Sequence, residues 1–130
     1  MEVRFDTSEL NALTAELTTK AQRVGAEAAA VVRKGALNVK NDARRLISGL
    51  AHAPTYPYSI DYVLDGDGRF GQIGADIGPD KAKAQGALGN ILEYGTVKNA
   101  PFAHLGPALD LEGPRFEKAL GDVGGEVFDQ

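Results

Sequence analysis

At 130 residues with 43% hydrophobic content, the chain suits one domain that buries about two-thirds of its unfolded surface without staples. The absence of cysteine and the presence of only two histidines exclude a disulfide framework and thiolate metal sites. The formal charge of −4 is uneven, with eight Lys/Arg against six Asp/Glu in residues 1–50 and six against twelve in residues 51–130, and the acidic second half excludes a nucleic-acid footprint built on clustered cations.

That asymmetry suits solubility first, and head-to-tail contact between identical subunits second. No apolar run reaches the ~20 residues of a membrane span. Met1 to Asp6 lack the basic start and apolar stretch of a signal peptide.

Residues 7–50 read as helical. Thr7 or Ser8 offers a hydroxyl cap, and Leu10, Leu13 and Leu17 share one face at helical spacing. Thr18 and Thr19 weaken the pattern, so the reading is a helix pair, the second and longer helix running from about Lys20 to Ser48. Gly25 and Gly35 each cost about 1 kcal/mol in a helix interior, which points to close packing or to bends. Arg44 and Arg45 suit the negative pole of the second helix.

Pro54 and Pro57 interrupt regular structure. Tyr58, Ile60, Tyr62 and Leu64 then alternate with polar neighbours as a half-buried strand does. Asp65-Gly66-Asp67-Gly68 reads as a hairpin turn, with a return strand over Phe70 to Ile77. A loop over 79–89, expected to be mobile, leads to a third strand at about Asn90 to Tyr94. Residues 57–96 are thus expected to form a small antiparallel sheet of three to four strands. Residues 107–128 read as helix with an apolar stripe of Leu109, Phe116, Leu120, Val123 and Val127, and a restart at Gly113-Pro114. The tail is expected to fray. The expected fold class is α+β, a single domain over residues 1–130.

Catalytic chemistry finds little footing. Asp61, Asp65 and Asp67 lack the closing Glu of a calcium loop and read as a strand and its turn. His52 and His104 have no nucleophile or metal partner at motif spacing. The glycines form neither a Walker sequence nor a strand-anchored G-x-G-x-x-G. Cofactors and metals are therefore expected to be none. Lys81 and Lys83 are solvated charges, or the switch of a loop that becomes ordered on assembly.

The densest pattern is Ile91-Leu92-Glu93-Tyr94-Gly95-Thr96, then Ala100-Pro101-Phe102, then Gly106-Pro107-Ala108-Leu109. Gly95 suits a positive-φ turn. Glu93, alternating with Leu92 and Tyr94, is either a plain exposed carboxylate or the partner of a cation on a neighbouring subunit. Phe102 anchors its loop, with its own core the favoured site and a partner's pocket the alternative.

Together with the helix that runs through Arg44-Arg45-Leu46 to Ala53-Pro54 and the strand opening at Ser59-Ile60, this order resembles the small neck or tail-completion proteins of long-tailed phages, the gene-product-ten type of lambdoid phages. The resemblance spans nearly the whole chain. It departs where the family carries threonine–glycine and a basic residue after Ala53-Pro54, because this chain has Thr55-Tyr56-Pro57-Tyr58; Tyr94 also replaces a commoner phenylalanine. The resemblance implies a non-enzymatic virion protein, made in the host bacterial cytoplasm and assembled as a homo-oligomeric ring between a head-closure or connector protein and the tail tube protein. DNA would pass through its lumen without sequence-specific binding. Glu93, Tyr94, Gly95, Thr96, Pro101, Phe102, Pro107 and Ala108 are the candidate interface or fold-signature residues. The competing readings are a tail terminator or head-closure ring in the same assembly, and a small ligand- or metal-binding enzyme domain using Asp61, Asp65 and His104.

Overall fold

The computed structural model describes residues 7–66 and 73–128, with side chains for 14–66 and 73–125. Its elements are helix α1 (Thr7–Leu46), strands β1 (Ile60–Gly66) and β2 (Ile73–Pro79), a short helix α2 (Gly89–Tyr94) and helix α3 (Leu105–Phe128). Single 3-10 turns at Tyr56–Ser59 and Gly86–Leu88 precede β1 and α2. The class is α+β, as the sequence predicts.

The expected helix pair is one unbroken helix of 40 residues, about 60 Å long at 1.5 Å per residue. Thr18 and Thr19 do not break it because their hydroxyls donate back to the carbonyls of Thr14 and Ala15, at 2.8 and 2.9 Å, the local bond that lets a hydroxyl residue sit mid-helix. Gly35 marks close packing: a Cβ there would lie 3.3 Å from Phe116 Cδ2 on α3. The pairs Gly35–Phe116 and Asn38–Glu112 show α1 and α3 running antiparallel. The C-terminal helix has no restart. Pro114 lies inside α3, where it removes one backbone donor.

β1 and β2 form an antiparallel pair, with Ile60 opposite Pro79, Tyr62 opposite Ile77 and Leu64 opposite Ala75. The described residues thus hold two strands in place of three or four. The expected Asp65–Gly68 turn and the start of the return strand lie partly outside them. Tyr58 falls before β1, in a turn closed by Tyr58 N–H to Thr55 O, because Pro57 withholds the donor that a strand needs. The expected third strand is α2. Six residues alternate too briefly to separate a strand from a buried helical turn.

The core joins Val39, Ala43 and Ile47 of α1 to Ala53, Tyr56, Ile60 and Ala108, with Leu50, Ile77, Leu88, Leu92 and Leu105 packed around them. Arg44 Nε and Nη2 both donate to Ile60 O, at 3.0 and 2.7 Å, tying the end of α1 to the start of the hairpin. The first fully buried residue of α1 among those described is Ala29, and residues 14–19 are all exposed. The helix therefore projects well beyond the core.

Candidate assembly surface

The densest sequence pattern builds a clip that starts α3. A helix leaves its first backbone N–H groups without intrahelical acceptors. Here Glu93 Oε1 accepts from the N–H of His104 and Leu105, at 3.1 and 2.7 Å, and Oε2 accepts from Gly106 at 3.3 Å. Pro107 has no N–H to satisfy, and Ala108 N–H already reaches His104 O at 3.1 Å. Every donor of the first turn is accounted for. Glu93 is thus neither a plain exposed carboxylate nor in need of a neighbour's cation, because the positive pole of α3 is its partner. Burial alone would raise its pKa, but the three N–H bonds and the His104 ring outweigh burial and hold it below the ordinary value of 4.5.

The remaining residues of the pattern hold the connection in place. Gly95 has φ of 74°, and a Cβ there would lie 2.7 Å from Asn99 O and 2.8 Å from Pro101 N, so only glycine fits. Thr96 Oγ1 accepts from Lys98 N–H and Asn99 N–H, closing the 96–99 turn. Phe102 N–H donates to Leu92 O at 2.7 Å, which returns the chain to α2. Ala108 is fully buried in the core.

Behind the clip, Tyr56 OH and His104 Nε2 are 2.7 Å apart and both side chains are fully buried. His104 Nδ1 faces two acceptors, Phe102 O at 2.9 Å and Glu93 Oε1 at 3.2 Å, so Nδ1 carries a proton. In the neutral ring, Nε2 then accepts from the Tyr56 hydroxyl. Burial, and secondarily the charge of Glu93, push the Tyr56 phenol up to about 12. The sequence reading missed this pair, since 48 residues separate its members. An aromatic with a polar tip next to two prolines was the only signal.

Phe102 corrects the expectation of a core anchor. It is 51% exposed, and Ile91, Tyr94 and Val97 are exposed with it. The backbone of this stretch is already fastened to α2, so the ring is not needed to anchor the loop. These exposed apolar side chains are carried on α2 and on the connection hydrogen-bonded back to it.

The loop over 79–89, expected to be mobile, carries its own fastenings. Gln85 Oε1 accepts from Thr55 N–H and Oγ1 at 2.8 and 2.7 Å, and Asp80 N–H donates to Ser59 O at 2.8 Å. Lys83 Nζ lies 2.9 Å from Asp61 Oδ2, while Lys81 is exposed. The bond from Lys83, the Tyr62 N–H and the charges of Lys83 and Lys40 hold exposed Asp61 at about 2. Asp61, Asp65 and His104 are not brought together: Asp61 is paired with lysines, Asp65 is exposed and His104 is enclosed. Among the described residues no group of three or more His, Cys, Asp or Glu is placed to hold a metal, and no helix is long and apolar enough to cross a membrane.

No protein-family model, curated protein or solved structure matches the chain.

Proposed function

We propose that this chain is a structural protein of a long-tailed phage, assembling as an oligomeric ring in the neck, where it completes or terminates the tail and joins it to the head. The observation that carries the reading is the exposure of four large apolar side chains, Ile91, Tyr94, Val97 and Phe102, on α2 and on the connection that the Glu93–Thr96 clip fastens to it. Large apolar side chains left exposed in one short stretch of chain suit a contact surface better than a catalytic site. The clip residues lie within the motif order that resembles the neck and tail-completion family, and their chemistry is structural throughout. The part of α1 that projects beyond the core adds to the case for partners.

In this reading the chain is made in the bacterial cytoplasm and ends in the virion, with copies of itself, a connector protein and the tail tube as partners. Function is assembly, with no reaction catalysed. Tail terminator and head-closure ring are neighbouring stations that would use the same surfaces. Mass by light scattering, with negative-stain images of the same fractions, tests the proposal. Closed rings with a central hole are expected. A chain that remains monomeric at every concentration, alone and with tail tubes, would count against it.

A further inference from the structure

The ribbon of β1 and β2 has two outer edges, and the chain caps only one of them. Asp80 N–H donates to Ser59 O at 2.8 Å, and bonded positions of an antiparallel pair alternate with unbonded ones. In the observed register, Asp61, Val63 and Asp65 therefore exchange bonds with Gly78, Asp76 and Gly74. Ile60, Tyr62 and Leu64 turn their backbone groups to one edge, and Ile73, Ala75 and Ile77 turn theirs to the other. On the β1 edge Arg44 donates twice to Ile60 O, and Tyr62 N–H donates to Asp61 Oδ1 at 2.9 Å. On the β2 edge no group meets the N–H and C=O of Ile73, Ala75 and Ile77 among the described residues. Natural edge strands are guarded by lysine, proline or an inward charge. β2 has no lysine, and its one proline is the last residue, Pro79. Helix α3 does not cover the edge. α1 packs against both α3 and β2, and an apolar cleft of about 250 Å³ lies between those two, with Leu109 and Phe116 on the α3 side.

We propose that the β2 edge receives the segment Met1–Asp6 of a second copy of this chain as a third strand. Val3 and Phe5 alternate with Glu2, Arg4 and Asp6, the period of a strand with one apolar face. Set beside β2, that face meets the cleft while the backbone takes the open hydrogen bonds, the mode of strand addition. The segment cannot serve its own chain. α1 starts at Thr7, and its axis from there to Val32, the first cleft residue, is about 38 Å long. Val3, four residues before Thr7, reaches at most about 14 Å from it. The projecting end of α1 therefore carries the segment to a neighbour. Charge sets the register. Asp76 is exposed, with no ion pair among the described residues, and it lies on the ribbon face away from the cleft; Arg4 is the one cationic side chain of the segment. An antiparallel strand with Arg4 opposite Asp76 puts Phe5 opposite Ala75 and Val3 opposite Ile77, so the large ring sits beside a small side chain. Donor segment and acceptor edge are different surfaces, which makes the contact heterologous and able to close into a ring.

The inference rests on the ring reading and supplies its joint. Concentration-dependent light scattering compares wild type with Phe5→Ala, Arg4→Glu and the double variant Arg4→Glu/Asp76→Arg, each first shown to be folded by its circular dichroism melt. Phe5→Ala is expected to weaken self-association at least about 30-fold. Arg4→Glu, which sets like charges opposite each other, is expected to weaken it about fivefold, and adding Asp76→Arg to restore it. Self-association of Phe5→Ala at wild-type strength overturns this joint and leaves the ring reading standing; a double variant no stronger than Arg4→Glu overturns the register. Because the chain has no cysteine, the contact can also be trapped. Positions 4 and 76 would face each other without exchanging backbone bonds, about 4.5 Å apart at Cα, a spacing that suits a disulfide. A size-tagged Arg4→Cys chain, oxidised with an Asp76→Cys chain, is expected to give a crosslinked heterodimer. The product is expected to be absent when Val63→Cys, one strand away on the same face, replaces Asp76→Cys. Absence of the heterodimer overturns the joint. Should the wild type also prove monomeric by scattering, the ring falls with it, whereas the product from a monomeric wild type upholds the joint alone.

Discussion

Two sheltered carboxylates meet helix α3, one at each end of its first two turns, and they differ in completeness. Glu93, delivered from α2, accepts three backbone N–H bonds and leaves the start of the helix with nothing missing. Glu112, two turns along, has one bonded oxygen and one buried oxygen without a hydrogen bond. The first belongs to the fold of the single chain. The second is a polar group whose burial is only partly compensated, by Asn38 on one oxygen and the Arg115 ion pair on the other. The molecule separates a carboxylate that it completes from one that it leaves incomplete.

The strongest test of that separation compares the two sites directly. Glu93→Leu leaves the first-turn donors of α3 without their acceptor, and is expected to cost about 3 kcal/mol, lowering Tm by about 10 °C. Glu112→Met should leave the monomer within about 1 kcal/mol of wild type, or raise its stability, because an apolar isostere replaces an imperfect buried ion pair and Arg115 keeps Asp42 at 2.8 Å. Thermal melts of both variants decide the matter: equal losses would erase the distinction.

Titration sharpens it from the other side. The Glu93 carboxyl is depressed in the folded chain, so its stabilising effect is present above its ordinary value of 4.5 and is lost as pH falls through the folded value. Unfolding followed by circular dichroism should show stability falling below that pH, and Glu93→Gln should flatten the fall. Tyr56 behaves in the opposite sense. Raised from 10.0 to about 12, it contributes stability that is intact below pH 10 and disappears as pH climbs toward 12. Tyr56→Phe should remove that alkaline loss.

Phe102→Ala is expected to have the smallest effect on the isolated chain, about 0.5 kcal/mol, since the ring is half in solvent. Assembly should fail in the same variant. A melt lowered by several kcal/mol would return Phe102 to the core and dissolve the contrast between clip and patch.

The sequence reading recovered what periodicity encodes. The α+β class, the hairpin order, the breaks at Pro54 and Pro57 and the close packing at Gly35 all follow from spacing and backbone chemistry. It failed where one signal serves two structures. Two threonines looked like a break because their hydroxyl bonds to Thr14 and Ala15 are invisible in composition. Asn90 to Tyr94 looked like a strand because five residues do not fix a period. Glu93 and Gly95 stood out in the sequence, but the structural role of Glu93 depends on a helix start eleven residues away. Glu112 and the Tyr56–His104 pair escaped notice altogether. Their meaning lies in what is buried beside them, and burial between distant segments leaves no local pattern.

The clip also bears on the order in which the chain acquires structure. Its ends are eleven residues apart, whereas Asn38 and Glu112 are separated by 74. Loop-closure entropy makes the longer closure dearer by about 1.7 kcal/mol, and a loop of roughly ten residues closes within about 10–100 ns. The start of α3 is therefore set early and locally, and the antiparallel docking of α3 on α1 follows as the slow, long-range step. Fractional kinetic effects near one for substitutions at Glu93, and near zero for those at Asn38, would be the signature of a nucleus built around the clip.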